Sequence, residues 1–156
     1  MLAITGSITR SSPEPNYAIV HSARHSAINM IGRLFSLVID CPAPSELASF
    51  YESLLSLPRV EDSSDYVVLA DTTGTEIVTF QRVGGFRPPQ WPDPDRPAQM
   101  HVDVMVDDLD VAEAKVLALG ATLLEGSDKP IGYRVYADPV GHPFCLITRE
   151  SVTPSK

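Results

Sequence analysis

The chain has 156 residues, 44% of them hydrophobic, enough for one filled core and too few for two ordinary domains. A net charge of −8, with lysines only at Lys115, Lys129 and Lys156, excludes the clustered cations that a nucleic-acid backbone or an anionic membrane requires. Cys41 and Cys145 are too few for a disulfide framework and lack zinc-site spacing, and no apolar run approaches the roughly 18 residues of a membrane span, so the expectation is a cytoplasmic protein.

Residues 1–29 are punctuated by Ser, Thr and Pro and read as a flexible N-terminal extension; Arg10 and Arg24 among serines also suit a targeting peptide, less well. The expected domain spans residues 30–150, followed by a polar tail over 151–156. Leu34 to Ile39 alternates as a strand, ended by Asp40-Cys41-Pro42-Ala43-Pro44. Ser45 is placed to cap a helix over 46–56, whose stripe of Leu47, Phe50, Tyr51, Leu54 and Leu55 stops before Pro58. Tyr66–Ala70 and Glu76–Val83 read as a hairpin about Asp71-Thr72-Thr73-Gly74.

Residues 84–98 form a stiff irregular crossover with five prolines and the only tryptophan, Trp91. Beyond it, His101 to Val106 alternates strictly, with Val102, Val104 and Val106 on one face and His101, Asp103 and Met105 on the other. Asp107 or Asp108 can cap the next helix, which stops at Gly120. Strands follow near 121–124, 133–137 and 143–148, the last two flanking the turn Asp138-Pro139-Val140-Gly141.

The two halves repeat. Each runs strand, turn, helix and three strands, over 31–83 and 99–149, and Ser36 precedes Gln81 by nearly the interval at which His101 precedes Cys145. The expected fold class is therefore α+β, two βαβββ modules forming a curved mixed sheet with a concave cleft. One helix per module covers one sheet face and leaves the other open to Ser36, Gln81, His101 and Cys145.

A His beside an Asp on an uncovered face reads either as a partly buried histidine bonded to that Asp or to a backbone carbonyl, or as a base with its orienter, and the second reading makes His101 and Asp103 the candidate catalytic residues. Ser36, Gln81, Met105 and Cys145 are the candidate substrate-binding residues of the same cleft, and Trp91 of a lid above it. The amide of Gln81 needs partners inside its apolar strand, whereas Cys145 between Phe144 and Leu146 also reads as a small core residue. His142 reads as structural in its own turn. Tyr133 and Arg134 suit an anion at the cleft mouth or an exposed surface pair.

Over about residues 31–149 the chain resembles the vicinal oxygen chelate superfamily, the glyoxalase and bleomycin-resistance fold. The resemblance is carried by Leu47 to Leu57, Phe80-Gln81-Arg82-Val83, Pro89-Gln90-Trp91-Pro92, Gln99 to Asp103, Leu119-Gly120-Ala121 and Asp138-Pro139-Val140-Gly141-His142-Pro143-Phe144-Cys145-Leu146. It implies a homodimer and a divalent ion held by one His, Gln or Glu on each of four strands. The corresponding positions are Ser36, Gln81, His101 and Cys145, of which His101 and Gln81 are the candidate metal ligands, an incomplete set. The expected function is binding of a small oxygenated or carbonyl compound, with proton transfer by His101. The alternatives are a metal-free binding protein that sequesters a small molecule and a non-catalytic interaction module.

Overall fold

The computed structural model describes residues 34–126 and 132–152; the expected extension over 1–29 lies outside them, as does the end of the tail. The first module comprises β1 (Leu37–Cys41), α1 (Pro44–Leu55), β2 (Arg59–Asp62), β3 (Tyr66–Ala70) and β4 (Glu76–Arg82). The second comprises β5 (Val102–Met105), α2 (Leu109–Ala118), β6 (Thr122–Glu125), β7 (Tyr133–Ala137) and β8 (Pro143–Ile147), followed by a short α3 (Arg149–Val152). The sheets share one plan, β1-β4-β3-β2 and β5-β8-β7-β6, with the first pair of each parallel and the others antiparallel. This is the βαβββ unit used twice.

Local differences from expectation have local causes. β1 runs from Leu37 to Cys41 instead of from Leu34 to Ile39, because its ladder with β4 extends through Cys41↔Arg82 and the Val83 amide donates to the Cys41 carbonyl at 2.9 Å. Ser45 does not cap α1. Pro44 takes the first turn, where its missing N–H costs nothing, and the Ser45 hydroxyl accepts from Arg59 Nη1 at 2.7 Å. For α2 the cap is Asp108, whose carboxylate accepts from the Val111 amide at 2.9 Å. The tail expected to fray from Glu150 forms the single turn of α3.

Both modules feed one core on the helix side of the sheets. Leu47, Tyr51, Leu69, Phe80, Tyr136, Phe144 and Leu146 are fully buried there. The Phe50 ring of α1 meets Phe144 of β8 edge to face at 5.7 Å, and Tyr136 stacks on Phe144 at 5.4 Å, so the first module's helix packs on the second module's strand. Arg134 corrects the surface reading. Alternation along β7 turns it toward α2, where it is 2% exposed and paired with Asp110 at 2.6 Å and Glu113 at 3.1 Å, and the Tyr136 hydroxyl donates to Glu113 at 2.7 Å.

The ladders also sharpen the repeat. Ile39↔Phe80 and Val104↔Leu146 are the matching core pairs, so Val38↔Thr79 in the first sheet corresponds to Asp103↔Cys145 in the second. By register, the counterpart of Cys145 is Thr79. Gln81 lies further along the same face, opposite Asp40 and Tyr66.

Candidate functional site

The uncovered face of the second sheet gathers the most reactive side chains. Because β5 alternates, Val104 enters the core while His101, Asp103 and Met105 share the open side. His101 Nε2 stands 3.3 Å from Asp103 Oδ1, both side chains about half exposed. Asp103 faces Cys145 across the β5–β8 ladder, and one donor atom from each of His101, Asp103 and Cys145 lies within 4.8 Å of the others.

Cys145 is 7% exposed, and burial pushes its thiol up to about 11; the charge of Asp103 and a hydrogen bond to that carboxylate add to the effect, as does Glu125. At neutral pH it is a proton-bearing thiol against Asp103, unfit as a nucleophile without a further cation.

Above this face runs the crossover. Gly141 adopts φ +103°, and a Cβ there would lie 2.6 Å from Pro88 Cβ, so only glycine lets the proline-rich segment seat on the β7–β8 turn. Trp91 is thereby brought to His101, ring centroids 6.5 Å apart and nearly perpendicular, and its Nε1–H donates to Glu125 at 3.4 Å. Glu125 is the site residue that sequence reasoning missed. It closes β6, one residue past the strand's expected end.

Of the expected residues, Trp91 and Cys145 gather about the His101–Asp103 pair and Met105 continues that face. Ser36, the residue before β1, and Gln81 of β4 lie with the first sheet. There the Ser36 hydroxyl lies 3.1 Å from that of Thr79, and Gln81 is exposed.

A cleft of about 730 Å³ lies along β1 and the start of β5 beneath the crossover. Its lining is mostly apolar, with Leu37, Ile39, Tyr51, Phe86 and Pro88 among its residues, and it reaches His101 and His142. His142 is locked from behind: its Nδ1 is 2.9 Å from Oδ2 of the wholly buried Asp138. The Tyr51 hydroxyl donates to that same oxygen at 3.2 Å, while Oδ1 accepts from the amides of Val140, Gly141 and His142 at 2.9–3.0 Å. Burial and the Asp138 charge hold the Tyr51 hydroxyl far above the ordinary tyrosine range, so it stays a donor. With Nδ1 engaged by Asp138, Nε2 is the ring nitrogen left for a ligand.

The chain matches the glyoxalase-like domain family over residues 36–147. Solved structures agree in fold. A glyoxalase/bleomycin resistance protein/dioxygenase family enzyme from Burkholderia phytofirmans is 17% identical, with a TM-score of 0.54 over 75% of this chain and 98% of its own. The fosfomycin resistance protein FosX from Mesorhizobium loti is 14% identical, with a TM-score of 0.57 over 80% of this chain and 94% of its own. An integron cassette protein from Vibrio cholerae is 22% identical, with a TM-score of 0.51 over 77% and 97%. No curated protein matches the chain. Among the described residues no helix is long and apolar enough to cross a membrane.

Proposed function

The chain belongs to the glyoxalase-like domain family, and from that premise we propose that it binds a small oxygenated or carbonyl compound over the second sheet and moves a proton on it with His101. The observation that supports this most is the 3.3 Å approach of His101 to Asp103 beneath Trp91. Asp103 orients the imidazole and stabilises the imidazolium that forms when His101 takes a proton. Trp91 covers one side and limits water. Cys145, protonated, donates to Asp103 and helps hold the carboxylate in place.

One imidazole, one carboxylate and one thiol suit a borderline divalent ion of the zinc type better than a hard octahedral one. His101, Asp103 and Cys145 would hold such an ion, which would supply polarisation of a substrate carbonyl oxygen.

The test is proton exchange. Hydroxyketones and vicinal dicarbonyls are incubated with the protein in D2O, with and without zinc, and deuterium at the carbon next to the carbonyl is followed by NMR. Exchange is expected for at least one class and should fall about 100-fold or more in His101→Ala. Exchange that survives this substitution unchanged would remove the proposed role of His101, and its absence for every compound would overturn the reading.

We also infer a homodimer working in the cytoplasm. Val38, Tyr66 and Ile77 on the first sheet's open face and Met105 on the second's are between 38% and 50% exposed, apolar area suited to a second copy. The two buried free cysteines accord with a reducing compartment.

A further inference from the structure

We propose that the cleft along β1 and β5 is a separate binding site for a small organic monoanion, a carboxylate carried on an apolar alkyl or aryl body. Its volume of about 730 Å³ lies within the roughly 300–1,000 Å³ of small-molecule pockets. The apolar lining from Leu37, Ile39, Phe86 and Pro88 accounts for the body of the ligand.

The charged lining accounts for its head. Among the described arginines, Arg59, Arg82 and Arg134 are ion-paired with carboxylates, and Arg149 is engaged in an interaction of its own. Among the described residues neither Arg87 nor Arg96 has a carboxylate partner, and both line this cleft; Arg96 donates from Nε to the Gln90 side chain, at 3.1 Å. In a protein of net charge −8, two guanidiniums without a counter-charge at one cleft form a local anion site. Against them stands the single carboxylate of Asp40, which leaves room for one negative charge on the ligand and disfavours two.

His142 supplies a fixed wall of the same cleft. Its ring is fixed by the buried Asp138 at Nδ1 and by Phe86 at 5.2 Å, so it meets a ligand at little cost in side-chain freedom. The site does not depend on proton transfer at His101, although the cleft reaches that residue.

The experiment is calorimetric titration of the full chain with phenylbutyrate and with phenylbutanol, its neutral counterpart. The wild type should bind the acid at least about tenfold more tightly than the alcohol, with an affinity that weakens as salt rises. The double variant Arg87→Gln/Arg96→Gln, at two exposed positions and with its melting temperature measured as the control for folding, should lose that preference and still bind the alcohol. Asp103→Asn, which alters the proton-transfer pair at a residue outside the cleft lining, should retain it, which separates the two sites. No binding of the acid, equal binding of acid and alcohol, or a double variant that behaves as wild type would each overturn the proposal. So would loss of acid binding in Asp103→Asn.

Discussion

Asp103 and Cys145 face each other across the parallel β5–β8 ladder, and the charge of the first holds the proton on the second. Desolvation is the larger cause and Asp103 the next, and together they push the thiol up to about 11. Cys145 should therefore alkylate slowly at neutral pH, with a rate that climbs until about pH 11. Asp103→Asn removes the raising charge, so the midpoint moves down and the neutral-pH rate goes up. Iodoacetamide labelling read by mass spectrometry measures both, and a midpoint unchanged by Asp103→Asn would break the coupling. Stability follows the same sign. The folded thiol keeps its proton beyond the ordinary 9.0, so its contribution is full below about pH 9 and is lost as pH rises through about 11.

Gly141 and Pro88 give a second prediction. Gly141→Ala must meet both a positive φ and a Cβ placed 2.6 Å from Pro88 Cβ, whereas Gly74→Ala meets only the positive φ, with nothing within 4 Å. The backbone conformation costs about 1–2 kcal/mol at either position, and the clash adds about 1–3 kcal/mol at Gly141 alone. Thermal melts of the two variants should differ by that amount. Trp91 emission should change only in Gly141→Ala, because the displaced crossover carries the indole away from His101. Equal melts would mean that the crossover yields without resistance.

Much of this was legible in the sequence because alternation and helical spacing are local signals. His101 and Asp103 share a face by parity alone, and Asp108 caps by its place before Leu109. Other features needed the third dimension. Arg134 reads as a surface residue until β7 is laid against α2, where Asp110 and Glu113 receive it. β2 is four residues with three charges, Arg59, Glu61 and Asp62, so nothing apolar alternates to mark it, although the repeat requires a strand there. The interval from Ser36 to Gln81 imitates that from His101 to Cys145 but ends on a different rung, and the ladder gives the matching place to Thr79. The Asp138 hub is invisible for the same reason, since Tyr51 is 87 residues away in sequence.

The buried cation predicts a third outcome. Arg134→Met leaves Glu113, whose side chain is 22% exposed, without its guanidinium and unties β7 from α2. Breaking a buried pair from one side typically costs about 3–5 kcal/mol, and the exposed Asp110 contributes little of it. Urea unfolding should show a loss near the low end of that range, because the Tyr136 hydroxyl still donates to Glu113. Adding Glu113→Gln to the Met variant should recover part of the loss. A double variant less stable than Arg134→Met would place the cost in packing instead of charge.

The open sheet faces carry the last prediction. Val38 and Ile77 lie on the first sheet's uncovered face with Tyr66, and burying apolar side chains there stabilises association by about 25 cal/mol per Å² removed from water. The protein should elute at twice the monomer mass by light scattering at micromolar concentration. Ile77→Lys with Val38→Lys places two like charges on that face in each copy, four across a two-fold contact, and should yield monomers with an unchanged circular dichroism spectrum. A wild type that is monomeric throughout the micromolar range would remove the dimer. A dimer that survives both lysines would move the interface to the second sheet, where Met105→Lys becomes the discriminating variant.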